Sequence, residues 1–344
     1  MIALAELTQE ATTIFTLSFL TFCVAMLLTP FYTYFAYKYK FWIRQRTEST
    51  TGDAVKIFTK LYAEKFKRNT PTMAGMVMVV AIGLVTLLFN LDRRQTWLPL
   101  LGLIGGGLVG LLDDIINIRG LGGGVKGIRS PIKFTMITIV AACAAWFFYV
   151  KLGYTSIYLP FVGDITLGWL LVPLFVLVVV STGNAVNISD GLDGLSGGLL
   201  TSAYGVFGVI AALQGNYGIS AFCFTVIGAL LAYLWFNIYP ARFIMGDVGS
   251  FALGTALGVV AMLTNTLFLL PIIGLIFVAE AGSSLIQILS KKLFHRKVFL
   301  SAPLHHHLGA IGWPETKVTM RLWVIGQVCG AIGLILAFAG GYIH

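Results

Sequence analysis

Apolar residues in this chain come in continuous runs, without the apolar/polar alternation that marks the strands of a membrane β-barrel. Runs near 14–36, 72–91, 97–112, 133–150, 165–183, 197–213, 219–238, 250–264, 267–290 and 318–342 approach the roughly 20 residues a spanning helix needs. The pattern predicts an all-α, polytopic membrane protein of about ten transmembrane helices. The boundary between the eighth and ninth runs is the least sharply marked. The first run is too long for a signal peptide, lacks a basic leading segment and follows Glu6 and Glu10, so it is expected to be retained as a helix.

Composition sharpens this reading. Of 344 residues, 58% are apolar and 11% charged, with a mean hydropathy of +0.89. Soluble domains carry about 25% charged residues, and disordered chains are charge-rich and poor in aromatics. The expectation is a single integral-membrane domain over residues 1–344. Cys23, Cys143, Cys223 and Cys329 each stand alone in an apolar run, which suits small fillers of helix interfaces.

A formal net charge of +9 would suit nucleic acid in a soluble chain. Here the distribution gives another meaning. Twenty of the 23 Lys and Arg fall in alternate loops: nine from Lys38 to Arg68, then Arg119 to Lys133, Arg242, and Lys291 to Arg321. Arg93, Arg94 and Lys151 alone lie on the opposite side. Basic residues mark cytoplasmic loops, so both termini are expected outside the cytoplasm, with no nucleic-acid partner. The site is expected in a cleft formed by those cytoplasmic loops.

Most acids can be solvated loop residues. Asp113, Asp114, Asp190, Asp193 and Asp247 are less ordinary, because all five fall on the basic side near the membrane boundary. Adjacent carboxylates at a helix C-terminus repel each other and meet an unfavourable dipole. Asp113 and Asp114 therefore call for a divalent metal, a nearby lysine or a raised pKa. In NAVNISDGLDGLSGG (184–198), Asn184, Asn187, Asp190 and Asp193 recur every third residue, along one face if the backbone is helical, among glycines that permit close approach of a ligand. In MGDVGS (245–250), Asp247 opens a helix as either an N-cap or a metal ligand. Few carboxylates amid basic loops suit Mg2+ held jointly with a substrate diphosphate. Lys67, Lys126 and Lys133 can supply point charges to phosphates or simply mark the inner side. His305, His306 and His307 suit phosphate contact and proton transfer.

The ordered set TPTMAG, GLLDD, NAVNISDGLDGL, MGDVGS and APLHHH…GWPE resembles the phospho-N-acetylmuramoyl-pentapeptide transferase family of the polyprenyl-phosphate N-acetylhexosamine-1-phosphate transferase superfamily. The resemblance runs from about residue 67 to the C-terminus. It implies a Mg2+-dependent transfer of phospho-MurNAc-pentapeptide from UDP-MurNAc-pentapeptide to undecaprenyl phosphate, releasing UMP. It further implies that Asp247 binds the metal and that Asp113 and Asp114 are catalytic, with His305, His306 and His307 at the active site. Substrate-contacting positions would be Lys67, Thr70, Lys126, Lys133, Asn184, Asn187, Asp190, Asp193 and Asn237; Glu280 and Gln287 match polar positions of the ninth helix. A homodimer is compatible with the resemblance.

Three positions depart from that family's pattern. Ala74 replaces a glycine, Ile244 replaces the aromatic before MGD with Phe243 one place earlier, and residues 38–66 lack the expected Arg, Gln and Gly-Pro features. Within that loop, KIFTKLYAEKF (56–66) reads as an amphipathic interfacial helix. Two rivals follow from the sequence: a polyprenyl-phosphate GlcNAc-1-phosphate transferase, and a secondary transporter with helices broken at glycines.

Overall fold

The computed structural model describes residues 2–42, 69–120 and 127–343. Lys67, Lys126 and the 56–66 segment lie outside them. Among the described residues the chain forms twelve α-helices. They are α1 (Ile2–Lys38), α2 (Gly75–Phe89), α3 (Trp97–Arg119), α4 (Ser130–Trp146), α5 (Leu171–Ser189), α6 (Leu195–Leu213), α7 (Tyr217–Asn237), α8 (Gly246–Leu263), α9 (Leu270–Ile273), α10 (Leu275–Phe294), α11 (Leu304–Ala310) and α12 (Glu315–Ala339). In lipid every backbone polar group must be bonded internally, which is why apolar runs of this length become helices. Eight of the helices are long and apolar enough to cross a membrane. The ten runs correspond to those eight together with α2, which is shorter, and α10, which carries Glu280, Lys291 and Lys292.

The boundaries differ from the sequence reading in informative places. The third helix continues past 112 to Arg119 and stops at Gly120, which takes the left-handed conformation (φ 68°). A two-stranded antiparallel hairpin, β1 (Ser156–Leu159) with β2 (Gly163–Thr166) in register Ser156↔Thr166, precedes the fifth helix and takes in residues 165 and 166, where the fifth run was expected to begin. The ninth run is broken at Gly274 into α9 and α10.

Helix α8 sits at the centre: every residue from Val248 to Leu263 is buried. Glycines let its neighbours approach backbone to backbone, the device that replaces hydrophobic driving force between helices in lipid. Gly102, Gly106 and Gly110, one turn apart on α3, abut Ala256, Phe251 and Asp247 of α8. Gly75 of α2 meets Gly249, and Gly183 of α5 meets Gly254. A side chain at Gly106 or Gly110 would collide with α8 backbone, so the register between α3 and α8 is set to within a turn.

The topology expected from the charge distribution is open to a direct measurement. With the four native cysteines replaced, single cysteines at Ser156 and Ser301 should react with an impermeant thiol reagent from opposite sides of the membrane. Labelling of both from outside intact cells would refute the arrangement.

Candidate active site

One carboxylate cluster stands where α3, α4, α5 and α8 meet at a common end. Asp247 occupies the first turn of α8, yet its side chain does not cap the helix. Asn187 Nδ2 of α5 donates to its Oδ1 at 2.9 Å, and Lys133 Nζ of α4 donates to its Oδ2 at 2.6 Å. The same ammonium lies 2.7 Å from Asp113 Oδ2. Lys133 thus bridges two carboxylates from two other helices, while its Nζ also sits 5.2 Å from the Phe251 ring centroid. Asn187 donates a second hydrogen bond to Ser250 Oγ at 2.9 Å. Lys133 and Asp247 keep side-chain exposures of 20% and 26%, so the cluster is open to a ligand on one side.

The acid pair is not at a helix terminus. Asp113 and Asp114 lie more than a turn inside α3, and consecutive helical positions point about 100° apart. Their environments differ accordingly. Asp113 Oδ1 accepts the Ile128 N–H at 2.6 Å and Oδ2 takes Lys133. Buried Asp114 turns towards α8, where its Oδ2 accepts the Val248 N–H at 3.0 Å. Of the three compensations left open for the pair, the lysine is present for Asp113. Asp114 is also close to Gly246 (φ 72°), where an added Cβ would stand 2.7 Å from Oδ2; glycine is required there on both counts.

The every-third-residue stripe is helical only in its first half. Asn184 and Asn187 belong to α5, with Asn184 Nδ2 donating back to Val180 O at 2.8 Å. The helix ends at Ser189, Asp190 is its C-cap, and Asp193 lies in the following turn. Asp193 is buried, accepts the Ala241 N–H on Oδ2 (2.9 Å) and donates its own N–H to Glu315 Oε1 (2.7 Å). Asn237 is buried beside it, accepting the Gly194 N–H and donating to Phe243 O, both at 2.9 Å. These two side chains tie the 190–194 turn to the 238–245 segment. Thr70 is half-buried at the start of a stretch in which Ile244 N–H donates to Pro71 O and Ala74 N–H to Ile244 O.

The ring at Phe243 does not replace the missing aromatic at Ile244. It is buried against Tyr32 (5.4 Å), Phe236 (5.3 Å) and Tyr233, because its backbone alternates with half-buried Ile244 and the apolar core claims the larger side chain.

The three histidines separate. His305 is 1% exposed, with Nδ1 2.8 Å from Oε2 of Glu280, itself fully buried on α10. The Glu280 carboxylate also receives the His305 N–H. On its other edge His305 Nε2 abuts Gly191, leaving no space there for any side chain. The His306 ring packs against His305 at a tilt of 55°, centroids 4.2 Å apart, and His307 Nδ1 accepts the Leu300 N–H at 3.3 Å. Two turns along α10, Gln287 accepts the Val298 and Phe299 N–H groups and donates to Phe299 O. Glu280 and Gln287 thus anchor the last loop to α10. Sequence reasoning missed Glu315, Thr319 and Trp323, which reach the Asp193–Gly194 turn from α12; only the position of Glu315 at a helix N-terminus hinted at a role.

A hard divalent cation takes oxygen ligands. Asp113 and Asp247 offer carboxylate oxygens that already converge on one cation, the Lys133 ammonium, on the open side of the cluster. No group of three or more His, Cys, Asp or Glu stands at metal-ligating spacing among the described residues. The donor set therefore fits an ion that keeps waters and shares substrate oxygens, and does not fit a closed protein cage.

By the length and apolarity of its helices the chain is a polytopic membrane protein, and residues 96–265, which carry Asp113, Lys133, Asn187 and Asp247, match Glycosyl transferase family 4. The chain is 37% identical over 351 residues to the phospho-N-acetylmuramoyl-pentapeptide-transferase of Chloroflexus aggregans, covering 98% of this chain and 93% of that protein. It is 38% identical over 334 residues to the enzyme of the same name from Geobacillus sp. (strain WCH70), covering 94% and 96%. The Chloroflexus aurantiacus protein of that name is 36% identical over the same 98% of this chain. The chain belongs to the phospho-N-acetylmuramoyl-pentapeptide-transferase family.

Proposed function

We propose that this membrane enzyme transfers phospho-MurNAc-pentapeptide from UDP-MurNAc-pentapeptide to undecaprenyl phosphate, forming the first lipid-linked peptidoglycan precursor and UMP. The observation that carries the assignment of the site is the Lys133 ammonium held between Asp113 and Asp247. Such an arrangement offsets part of the carboxylate charge before substrate arrives and leaves oxygen donors for a cation that accompanies incoming phosphates. In the reaction, an oxygen of the lipid phosphate attacks the β-phosphorus of the donor. The bond from that phosphorus to the oxygen bridging the α-phosphate breaks, and UMP leaves with the electron pair.

Mg2+ bound by Asp247, with Asp113 beside it, would neutralise charge developing on the diphosphate. Lys133 supplies further positive charge at the same place. Asp114, buried and oriented by the Val248 N–H, holds the α3–α8 junction, and Asp113 is the carboxylate placed to position or deprotonate the acceptor. Because a phosphate acceptor already carries negative charge, direct attack asks less of the protein than a covalent aspartyl intermediate. Asn187 supports Asp247, while Asp190, Asp193 and Asn237 shape the turn proposed to receive the nucleotide. The active site would face the cytoplasm of a bacterial inner membrane, where the soluble donor resides.

A transporter reading is not favoured, since the charged cluster sits at one end of the helices and transporter sites lie near the bilayer midplane. Radiolabel from UDP-MurNAc-pentapeptide should appear in a lipid extract with undecaprenyl phosphate and Mg2+, and not with UDP-GlcNAc as donor. Labelled lipid from UDP-GlcNAc alone would favour the related hexosamine-phosphate transferases and overturn the donor assignment.

A further inference from the structure

The three cations stranded on the sparsely charged side of the chain do not lie apart. Arg93 and Arg94 belong to the turn between α2 and α3, and Lys151 ends the π-helical turn (Phe147–Lys151) that continues α4. Together with Phe147, Leu152 and Tyr154 they line one cavity of ≈ 550 Å³. Each of the helices involved has its opposite end at the carboxylate cluster: α2 begins beside Met245 and Gly249, α3 carries Asp113, and α4 carries Lys133. The cavity is therefore at the far end of the bundle and separate from the active site.

The turn that presents the arginines is well built. Asp92 Oδ1 accepts the Arg94 and Gln95 N–H groups at 2.7 and 2.8 Å, and Gln95 Oε1 accepts the Gly218 N–H at 2.8 Å. Asp92 thus spends an oxygen on the backbone. Neither it nor Asp164 forms an ion pair with Arg93, Arg94 or Lys151. Lys151 Nζ instead rests 5.5 Å from the Trp146 ring centroid. Three exposed cations lining one cavity without a protein anion make a place where an external anion gains favourable electrostatics. Trp97, Trp146 and Trp169, each highly exposed, stand at this same end of α3, α4 and α5. Exposed tryptophans at a common end of spanning helices mark the membrane–water interface, the level at which lipid phosphates lie, and Arg and Lys side chains pair with phosphate oxygens through charge-assisted hydrogen bonds.

We infer that Arg93, Arg94 and Lys151 form a binding site for the phosphate of an anionic phospholipid headgroup. The arginines grip the phosphate oxygens, Lys151 closes the third side, and Phe147 and Tyr154 line the apolar approach. The site is independent of the transfer reaction.

Native mass spectrometry of the purified full chain, titrated with phosphatidylglycerol or phosphatidylcholine, tests this. Phosphatidylglycerol should bind more tightly than phosphatidylcholine. Its affinity should fall about fivefold for each cation removed, reaching about a hundredfold in Arg93→Gln/Arg94→Gln/Lys151→Gln. The control Lys291→Gln/Lys292→Gln/Lys297→Gln, at the other end, should bind like wild type. Lys151→Gln alone provides the test should the triple variant fail to fold. Unchanged phosphatidylglycerol affinity in the variants would overturn the site. Inorganic phosphate binding as tightly as phosphatidylglycerol would overturn the lipid as its source.

Discussion

Asp247→Asn is expected to lower turnover by about a thousandfold or more while leaving a folded, monodisperse protein. The carboxylate accepts from Asn187 on one oxygen and from Lys133 on the other. An amide of the same shape has one acceptor only, so one of the two donors must face an N–H2 group. The ammonium then loses a counter-charge and the proposed metal loses its principal ligand. Removing a single preorganised electrostatic contact costs enzymes about 10²–10³ in rate, and here two charges are disturbed together. Partial exposure of Asp247 and Lys133 moderates the cost in stability relative to a buried pair. The measurement is lipid product formation at saturating Mg2+, with gel filtration as the control for folding. Activity within threefold of wild type would leave Asp247 only its packing role in α8.

Glu280→Ala should release the last loop. His305 and Glu280 are buried, and removing the carboxylate leaves the His305 Nδ1 and N–H without their partner where water does not reach. Leaving a buried donor unsatisfied costs roughly 1–3 kcal/mol, and two donors lose their acceptor together, which loosens α11 from α10. Lys291, Lys292, Arg296 and Lys297 flank the loop, so trypsin should cut there at least tenfold faster than in wild type. Activity should fall as well, because His305 abuts Gly191 at the entrance to the 190–194 turn. Glu280→Gln keeps one acceptor and should lie between the two. Wild-type proteolysis in Glu280→Ala would show that Gln287 alone holds the loop.

The site was legible in the sequence to different depths. Asp247 and Asn187 stood out because polar groups between glycines, at the end of apolar runs, have few structural uses. The pair Asp113–Asp114 also stood out, but its position did not: the apolar run ends at 112, whereas the helix continues through IINIR to Arg119. A hydropathy run reports where lipid contact ends, and a helix can outlast it by two turns. The stripe from Asn184 to Asp193 read as one face because its spacing is helical, yet the helix ends at Ser189 and Gly194, in the left-handed conformation (φ 77°), completes the turn that follows. Phe243 stands one place before the missing aromatic, and only its burial against Tyr32 and Phe236 shows that it belongs to the core.

By itself, then, the sequence determined the number and order of the long helices, the alternation of basic-rich and basic-poor loops, and the residue types available for phosphate chemistry. Those are local properties: in lipid, an apolar run satisfies its own backbone hydrogen bonds whatever its neighbours do. Only the tertiary structure decided the partnerships. Lys133 could have served any phosphate or none until α3, α4 and α8 placed it between Asp113 and Asp247. Glu280 could have been a generic interhelical polar group until α11 brought His305 to it. Arg93, Arg94 and Lys151 were three separate exceptions to a charge rule until they faced one cavity. Side-chain pairing across helices depends on register and rotation about each axis, which the glycine contacts around α8 set and no single segment encodes.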